Sequence, residues 1–222
     1  MSADRPRAAV VVTGSELLAG TIVDRNGPWL SRELVNLGFD VAEVLVVPDH
    51  PDDLEAALRF AADSGSELIV TSGGLGPTAD DLTAEIVARF AGRELELDEA
   101  LRRKIETILA DFAARTGFGG AALEAAIHKQ AMVPRGAIPL DPVGTAPGLV
   151  VPSQRGPLIV VLPGPPRELQ GMWPAAVATA PMRELLARVP PSRPRHLRFF
   201  GLPESEIAAT LRNIETELDI SA

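Results

Sequence analysis

Short apolar bursts alternate along the chain with segments whose apolar residues recur every three or four positions. A run of four to eight apolar residues between turn residues reads as a buried strand, and the i, i+3, i+4, i+7 spacing reads as a helix with one face in a core. Ala8 to Val12 is the first such run. Pro28 to Leu37 then puts Trp29, Leu30, Leu34 and Leu37 on one helical face and stops at Gly38, a residue suited to a helix end. Phe39 to Val47 reads as a second strand, and Asp52 to Ala62 as a helix with Pro51 near its first turn. Glu67 to Thr71 is a third strand and Asp80 to Phe90 the next helix. This β-α-β-α-β-α order predicts an α/β fold, a three-layer α/β/α sandwich around a mostly parallel sheet.

Farther along, Asp98 to Arg115 predicts a long amphipathic helix with Leu101, Ile105, Ile108, Leu109 and Phe112 on one face. Segment 117–133 is Gly/Ala-rich and then helical to Met132, and 98–133 together reads as an insertion over one edge of the sheet. Pro134 to Gly148 reads as loop. Leu158 to Leu162 is another buried strand, ending at Pro163-Gly164-Pro165-Pro166 before a helix near Arg167 to Trp173. Val189-Pro190-Pro191-Ser192-Arg193-Pro194 is a stiff linker, which places a main domain at 1–188 and an appendage at 189–222. That α+β appendage holds a short strand, His196 to Phe200, and a helix, Glu204 to Leu218. It falls below the ~40 residues that fold unaided, so it reads as the start of a second module.

Length, 222 residues, leaves room for one α/β unit of roughly 170 residues plus this appendage, and 46% hydrophobic content supplies a core. The net charge of −9 argues against a nucleic-acid polymer as partner, though not against one nucleotide held by backbone N–H groups. Zero cysteines remove thiol catalysis, cysteine zinc sites and disulfides. No run approaches the ~18 apolar residues of a membrane span, and the apolar run after Arg7 is too short for a signal sequence, so no membrane partner and a cytoplasmic location are expected.

Candidate chemistry concentrates at the ends of the predicted strands, where ligands of such sheets bind. Ser72-Gly73-Gly74-Leu75-Gly76-Pro77-Thr78 runs from the third strand into Asp80 and Asp81. Glycines there let backbone N–H groups approach a phosphate, and a helix opening at the turn adds its positive end. Two aspartates beside an anion repel it unless a divalent cation bridges them. The same segment also fits a capping box from Thr78 to Asp81. Gly14, Glu16, Asp24 and Asn26 follow the first strand, and Gly144, Thr145 and Gly164 flank the last. Taken singly, Asn26 reads equally as a helix cap, Asp24 as a loop acid and Glu16 as a brace for its own loop. Taken together, Glu16, Asp24, Asp80 and Asp81 at one sheet edge suit oxygen coordination of Mg²⁺ with substrate phosphates. Lys129 is a further point charge for phosphate. Asp49-His50-Pro51-Asp52-Asp53 has metal-ligand residue types but also reads as a turn and cap, and Arg193, Arg195, His196 and Arg198 read as a solvated basic strip.

These segments resemble the N-terminal domain of the CinA (competence/damage-inducible protein) family, within the MoaB/MogA/MoeA molybdopterin-binding fold. The resemblance rests on Gly14 to Asn26, Thr71 to Asp81, Lys129 to Pro134, Pro142 to Gly148, Leu162 to Leu169 and Phe200 to Glu206, in order over nearly the whole chain. Gly-Leu-Gly-Pro-Thr stands where the MogA-type loop has Gly-Thr-Gly, which favours the CinA branch, and Pro203 stands where CinA proteins usually have Gly. The resemblance implies a metal-dependent nucleotide pyrophosphatase acting on ADP-ribose or a similar diphosphate. The other reading it leaves is a molybdopterin- or nucleotide-binding module without catalysis. The C-terminal nicotinamide-nucleotide amidohydrolase domain of many members is not among these residues, so no deamidase activity is expected of them. Asp80, Asp24 and Glu16 are the expected catalytic residues, with Asp80, Asp81 and Asp24 holding Mg²⁺, Co²⁺ or Mn²⁺. Gly14, Asn26, Ser72, Gly73, Gly74, Gly76, Thr78, Lys129, Gly144, Thr145 and Gly164 are the expected contacts to a nucleotide or pterin phosphate. A homo-oligomer is expected, as relatives commonly assemble.

Overall fold

The first strand, β1 (Arg7–Thr13), owes its place to Ala8 to Val12, five apolar residues that are all buried. In the computed structural model, which describes residues 5–78, 80–116, 120–153, 156–190 and 198–218, it is followed by α1 (Ser15–Leu18), α2 (Asn26–Asn36) and β2 (Asp40–Val47). Then come α3 (Pro51–Asp63), β3 (Leu68–Ser72) and α4 (Thr83–Phe90). β4 (Leu95–Leu97), α5 (Glu99–Thr116), α6 (Ala121–Ala131) and β5 (Met132–Pro134) form the next group. β6 (Ile138–Leu140), β7 (Gly148–Val151), β8 (Leu158–Leu162), α7 (Pro166–Val177) and α8 (Ala180–Leu186) complete it.

The six-stranded sheet has the order β2-β1-β3-β8-β7-β6. The first four strands are parallel, while β7 and β6 are antiparallel additions at one side. β4 and β5 pair separately as a short antiparallel ribbon. Because β1, β3 and β8 are covered on both faces, their sequences are continuously apolar instead of alternating. Ala9, Val11, Ile69, Ile159 and Val161 face one core with Leu54 and Leu58 of α3 and Ile86 and Val87 of α4. Val10, Val12, Val70, Val160 and Leu162 face the other with Leu30 and Leu34 of α2 and Leu169 and Met172 of α7. Trp29 of α2 meets Trp173 of α7 edge to face, with ring centroids 6.2 Å apart. Three layers result, as the apolar pattern predicts.

Gly38 ends α2 where the sequence places its stop. Its N–H donates to Val35 O and that of Phe39 to Leu34 O, the paired bonds of a Schellman turn, at a φ of +93°.

Several elements depart from the sequence reading. α4 begins at Thr83 instead of Asp80, because the Asp81 carboxylate closes a turn onto Thr78 ahead of the helix. Helix α6 stops at Ala131, and Met132 opens β5. The stretch 134–148 contains β6, whose three residues are too few to show a period. The insertion's Leu101, Ile105, Leu109 and Ile127 join the core of the α3/α4 face, while Lys104 reaches Asp141 just beyond the edge strand β6.

The chain divides into two compact units, Met1–Ser192 and Arg193–Ala222. In the second, α9 (Glu204–Leu218) forms as expected. Residues 198–200 carry no strand, and the earlier half of that expected strand, with Arg193, Arg195 and His196, lies outside the described residues.

Candidate functional site

The carboxyl ends of β1, β3 and β8 are bonded to one another by their first loop residues. Gly73 N–H donates to Leu162 O at 3.0 Å, and Thr13 Oγ1 lies 3.4 Å from Ser72 O. From α4, Thr83 Oγ1 donates to Gly73 O at 2.9 Å. Gly73 has a φ of +108°, and a Cβ on it would lie 2.8 Å from Thr13 O. A Cβ on Gly74 would overlap the Thr83 hydroxyl. Both glycines are therefore fixed by conformation and by crowding.

Asn26 ties this turn to two neighbours. It is the first residue of α2, and Asp24 Oδ1 accepts its N–H at 2.8 Å and that of Gly27 at 3.0 Å. The cap is thus Asp24, and Asn26 is freed to reach inward. Its Nδ2 donates to Ser72 Oγ at 2.9 Å and to Gly164 O at 2.6 Å, so one side chain bridges the loops after β1, β3 and β8. It is 6% exposed, and its Oδ1 has no hydrogen-bond partner among the described residues. These residues floor a cleft of about 670 Å³ that Glu16, Asp24 and Thr13 also line.

Asp81 of the acidic pair lines a different hollow, and Asp80 a narrow seam next to it. Thr78 Oγ1 sits 2.5 Å from both Asp80 Oδ1 and Asp81 Oδ2, and Thr78 N–H donates to Asp81 Oδ2 at 2.9 Å. One hydroxyl proton serves only one of the two carboxylates at a time. The Thr78 hydroxyl holds the Asp80 carboxyl below the usual aspartate range, helped by the backbone N–H of Asp80 and by the Lys129 charge. Lys129 Nζ donates to Thr78 O, and Gln130 Nε2 to Leu75 O at 3.0 Å, so α6 supports the loop from below. Between α4, α6 and β4–β5 lies a hollow of about 280 Å³ reached by Gly74, Gly76, Asp81 and Lys129.

The expected gathering of Glu16, Asp24, Asp80 and Asp81 about one cation is not formed. Among the described residues no three His, Asp or Glu side chains are placed as a metal cage. Asp24 lines the α2-side cleft, where helix capping occupies one oxygen, and Glu16 there is exposed. Asp81 belongs to the other hollow and Asp80 to the narrow seam between Thr13, Asp49 and Thr83. What remains is the Asp80–Asp81 pair. Mg²⁺ often takes one or two carboxylates and completes its shell with waters and substrate phosphates, so that pair fits such an ion. Gly14 is buried and bonds to Val47 O, which makes it a strand-end packing position. Gly144 lies under the Glu168 carboxyl group, so a phosphate at Gly144 or Thr145 would face an acid.

Asp49, read from the sequence as part of a turn and cap, has a definite partner, while Glu168 and Gln130 escape the sequence reading. Asp49 accepts the Ser15 N–H at 2.8 Å while its own N–H donates to Ser15 Oγ, which pins α1 to the end of β2. Glu168 is half-buried in the first turn of α7, and burial pushes its carboxyl above the usual range. Gln130, the neighbour of Lys129, is 7% exposed, and its Oε1 has no partner among the described residues. Only folding reveals these environments, since nothing local in the sequence marks a carboxylate that ends over a glycine.

Comparisons with known proteins bear on the family and the fold. Residues 9–182 match the family described as a probable molybdopterin binding domain. A CinA-like protein of Mycobacterium tuberculosis is 50% identical over 216 residues, 96% of this chain and 50% of its own length. The chain thus spans about half the length of the curated relatives it matches. Among solved structures, the protein CinA from Thermoplasma acidophilum, described as of unknown function, superposes with a TM-score of 0.66 at 33% identity, covering 78% of this chain and 96% of that one. MoaB from Thermus thermophilus, at 21% identity and a TM-score of 0.51 over 82% of this chain and 96% of that one, shares the fold. Among the described residues no helix is long and apolar enough to cross a membrane. The chain thus belongs to the family of probable molybdopterin binding domains and is of the CinA type.

Proposed function

We propose that this domain binds a nucleoside diphosphate of the ADP-ribose kind and hydrolyses its phosphoanhydride with a divalent cation. The observation that carries this reading is the loop from Gly73 to Asp81, where a glycine turn, an acidic pair and the Lys129 amine converge at the end of the central strand β3. Gly76 lies against the Asp81 carboxylate, so phosphates would approach this turn with the cation between, and Lys129 adds a cationic donor. Asp80 and Asp81 would hold Mg²⁺, Co²⁺ or Mn²⁺, which when bound neutralises developing phosphate charge. The Thr78 hydroxyl lowers the proton affinity of Asp80 and so favours its charged form. In the reaction a water oxygen bonds to one phosphorus as the bridging P–O bond breaks, and AMP and ribose 5-phosphate leave. Incubation with ADP-ribose and each cation, read by AMP release, tests the proposal. No AMP beside a working control enzyme overturns it.

A second reading, a binding module without turnover, is favoured by one observation. Asp24 and Asp81 already accept backbone hydrogen bonds, which suits anchoring better than proton transfer. Asp80→Asn separates the two. A catalyst loses turnover while keeping ADP-ribose affinity, whereas a binder has no turnover to lose and copurifies with its nucleotide or pterin.

A further inference from the structure

The segment between β1 and α2 is pinned at both ends, yet it presents large apolar side chains to solvent. At its start the Ser15 N–H donates to the Asp49 carboxylate at 2.8 Å, and at its close the Asp24 carboxylate accepts the N–H groups of Asn26 and Gly27. Within it, Thr21 donates twice to Glu16 O, from its N–H at 3.0 Å and from its hydroxyl at 2.9 Å. Gly20 turns the chain there at a φ of +71°. On this bonded loop Leu18, Ile22 and Val23 are 55%, 51% and 82% exposed. Single apolar residues on a surface need no account, but three on one short ordered loop do. Ile22 and Val23 stand with Pro165 and Pro166 at the mouth of the α2-side cleft, and an apolar patch with polar residues around it marks a protein-binding surface. Two charges flank the patch. Glu16 and Arg25 are exposed and of opposite sign, and neither has an ion-pair partner among the described residues.

We propose that this loop is a self-docking surface, on which a second copy of the chain sits about a two-fold axis. The charges identify the occupant. Across such an axis Arg25 of one copy meets Glu16 of the other and the reverse pair forms with it, while the apolar side chains of the two loops cover one another. Because the loop is ordered before it binds, association costs it little conformational freedom. The other route to self-association, the free outer edge of β2, is blunted by a bulge, since its register with β1 skips Ala42. Ile22, Val23 and Arg25 also line the cleft above Asn26, so the seam between copies runs along its mouth. A patch of this size suits a reversible dimer. None of these residues belongs to the Gly73–Asp81 loop, so failure of the phosphate reading leaves this surface untouched.

Sedimentation velocity of the full chain from about 1 to 100 μM tests the dimer. The wild-type chain is expected to pass from monomer to dimer within that range. Val23→Asp, at the most exposed of the three positions, should leave Tm unchanged and raise the dimer dissociation constant about tenfold or more. Arg25→Glu and Glu16→Arg should each weaken the dimer, and the double variant should restore it, because the reversed charges again meet across the axis. Restoration of that kind is specific to a second copy as occupant. The chain has no cysteine, so Val23→Cys introduces a single thiol. A short bismaleimide should join two Val23→Cys chains and fail to join two Phe60→Cys chains, whose thiol stands at an exposed position of α3 across the sheet. A wild-type chain that stays monomeric at about 100 μM overturns the proposal and leaves the patch to a different protein. A dimer that Val23→Asp does not weaken, or whose charge reversals fail to rescue one another, overturns it as well.

Discussion

The carboxyl group of Glu168 rests on the Cα of Gly144, in the space that the Cβ of any other residue would fill. Burial raises the proton affinity of this acid in the folded protein above its unfolded value. The folded state therefore binds more protons between the two pKa values, and stability falls as pH rises through that window. Glu168→Gln is expected to raise Tm at pH 7, with the gain vanishing below about pH 4, where the carboxyl is neutral in both states. Thermal melts at both pH values check this. Gly144→Ala should lower Tm, because the carboxyl group has to move.

For Asp80 the sign reverses. Its pKa is depressed by the Thr78 hydroxyl, so its contribution is present above the ordinary aspartate range and is lost as pH falls through the lowered value. Thr78→Val removes that donor. The acid limb of metal binding should then shift upward toward ordinary aspartate behaviour, which a pH series of Mn²⁺ titrations would read. An unchanged limb would show that Lys129 and the backbone N–H suffice.

Removing the Asn26 side chain takes a donor from Ser72 Oγ, which keeps only a 3.4 Å contact to Pro163 O, and from the carbonyl of exposed Gly164. Each buried group left without a partner costs about 1–3 kcal/mol. Asn26→Ala is expected to lower unfolding free energy by about 1–3 kcal/mol in urea denaturation. A loss below about 0.5 kcal/mol would mean that the bridge is replaced by water.

Gly38→Ala puts a Cβ into a left-handed position at a cost of about 1–2 kcal/mol. Here that Cβ would also overlap Cγ1 of Val189. A fall in Tm of several degrees is expected, at roughly 2–4 °C per kcal/mol for a domain of this size. The double variant with Val189→Ala should recover the part due to overlap, which differential scanning calorimetry can separate.

The parallel strands and long helices were legible because burial on both faces leaves an unmistakable run such as Val10-Val11-Val12, and because Gly38 marks a helix end by backbone geometry. β6 and β5 were not, since three residues define no period and their pairing is decided by distant partners. At the site, the glycine turn and the acids of the Gly73–Asp81 loop could be read from local order. Whether Asp24 joined them could not. Its carboxylate had a local competitor, the free N–H groups of α2, and that contact won. Gln130 and Glu168 depend wholly on what folding brings against them.

β1 lies between β2 and β3, and the connections that reach those two neighbours run on opposite faces, through α2 on one side and α3 on the other. The sheet's winding thus reverses at β1, which makes the β1/β3 boundary a topological switch point. Loops leaving the two strands diverge there as a matter of connectivity, so a crevice exists before any side chain is chosen. The segment from Glu16 to Arg25 borders that crevice without contributing to any strand. The strand pairing beneath it does not depend on that segment, which the Asp24 carboxylate ties to the start of α2.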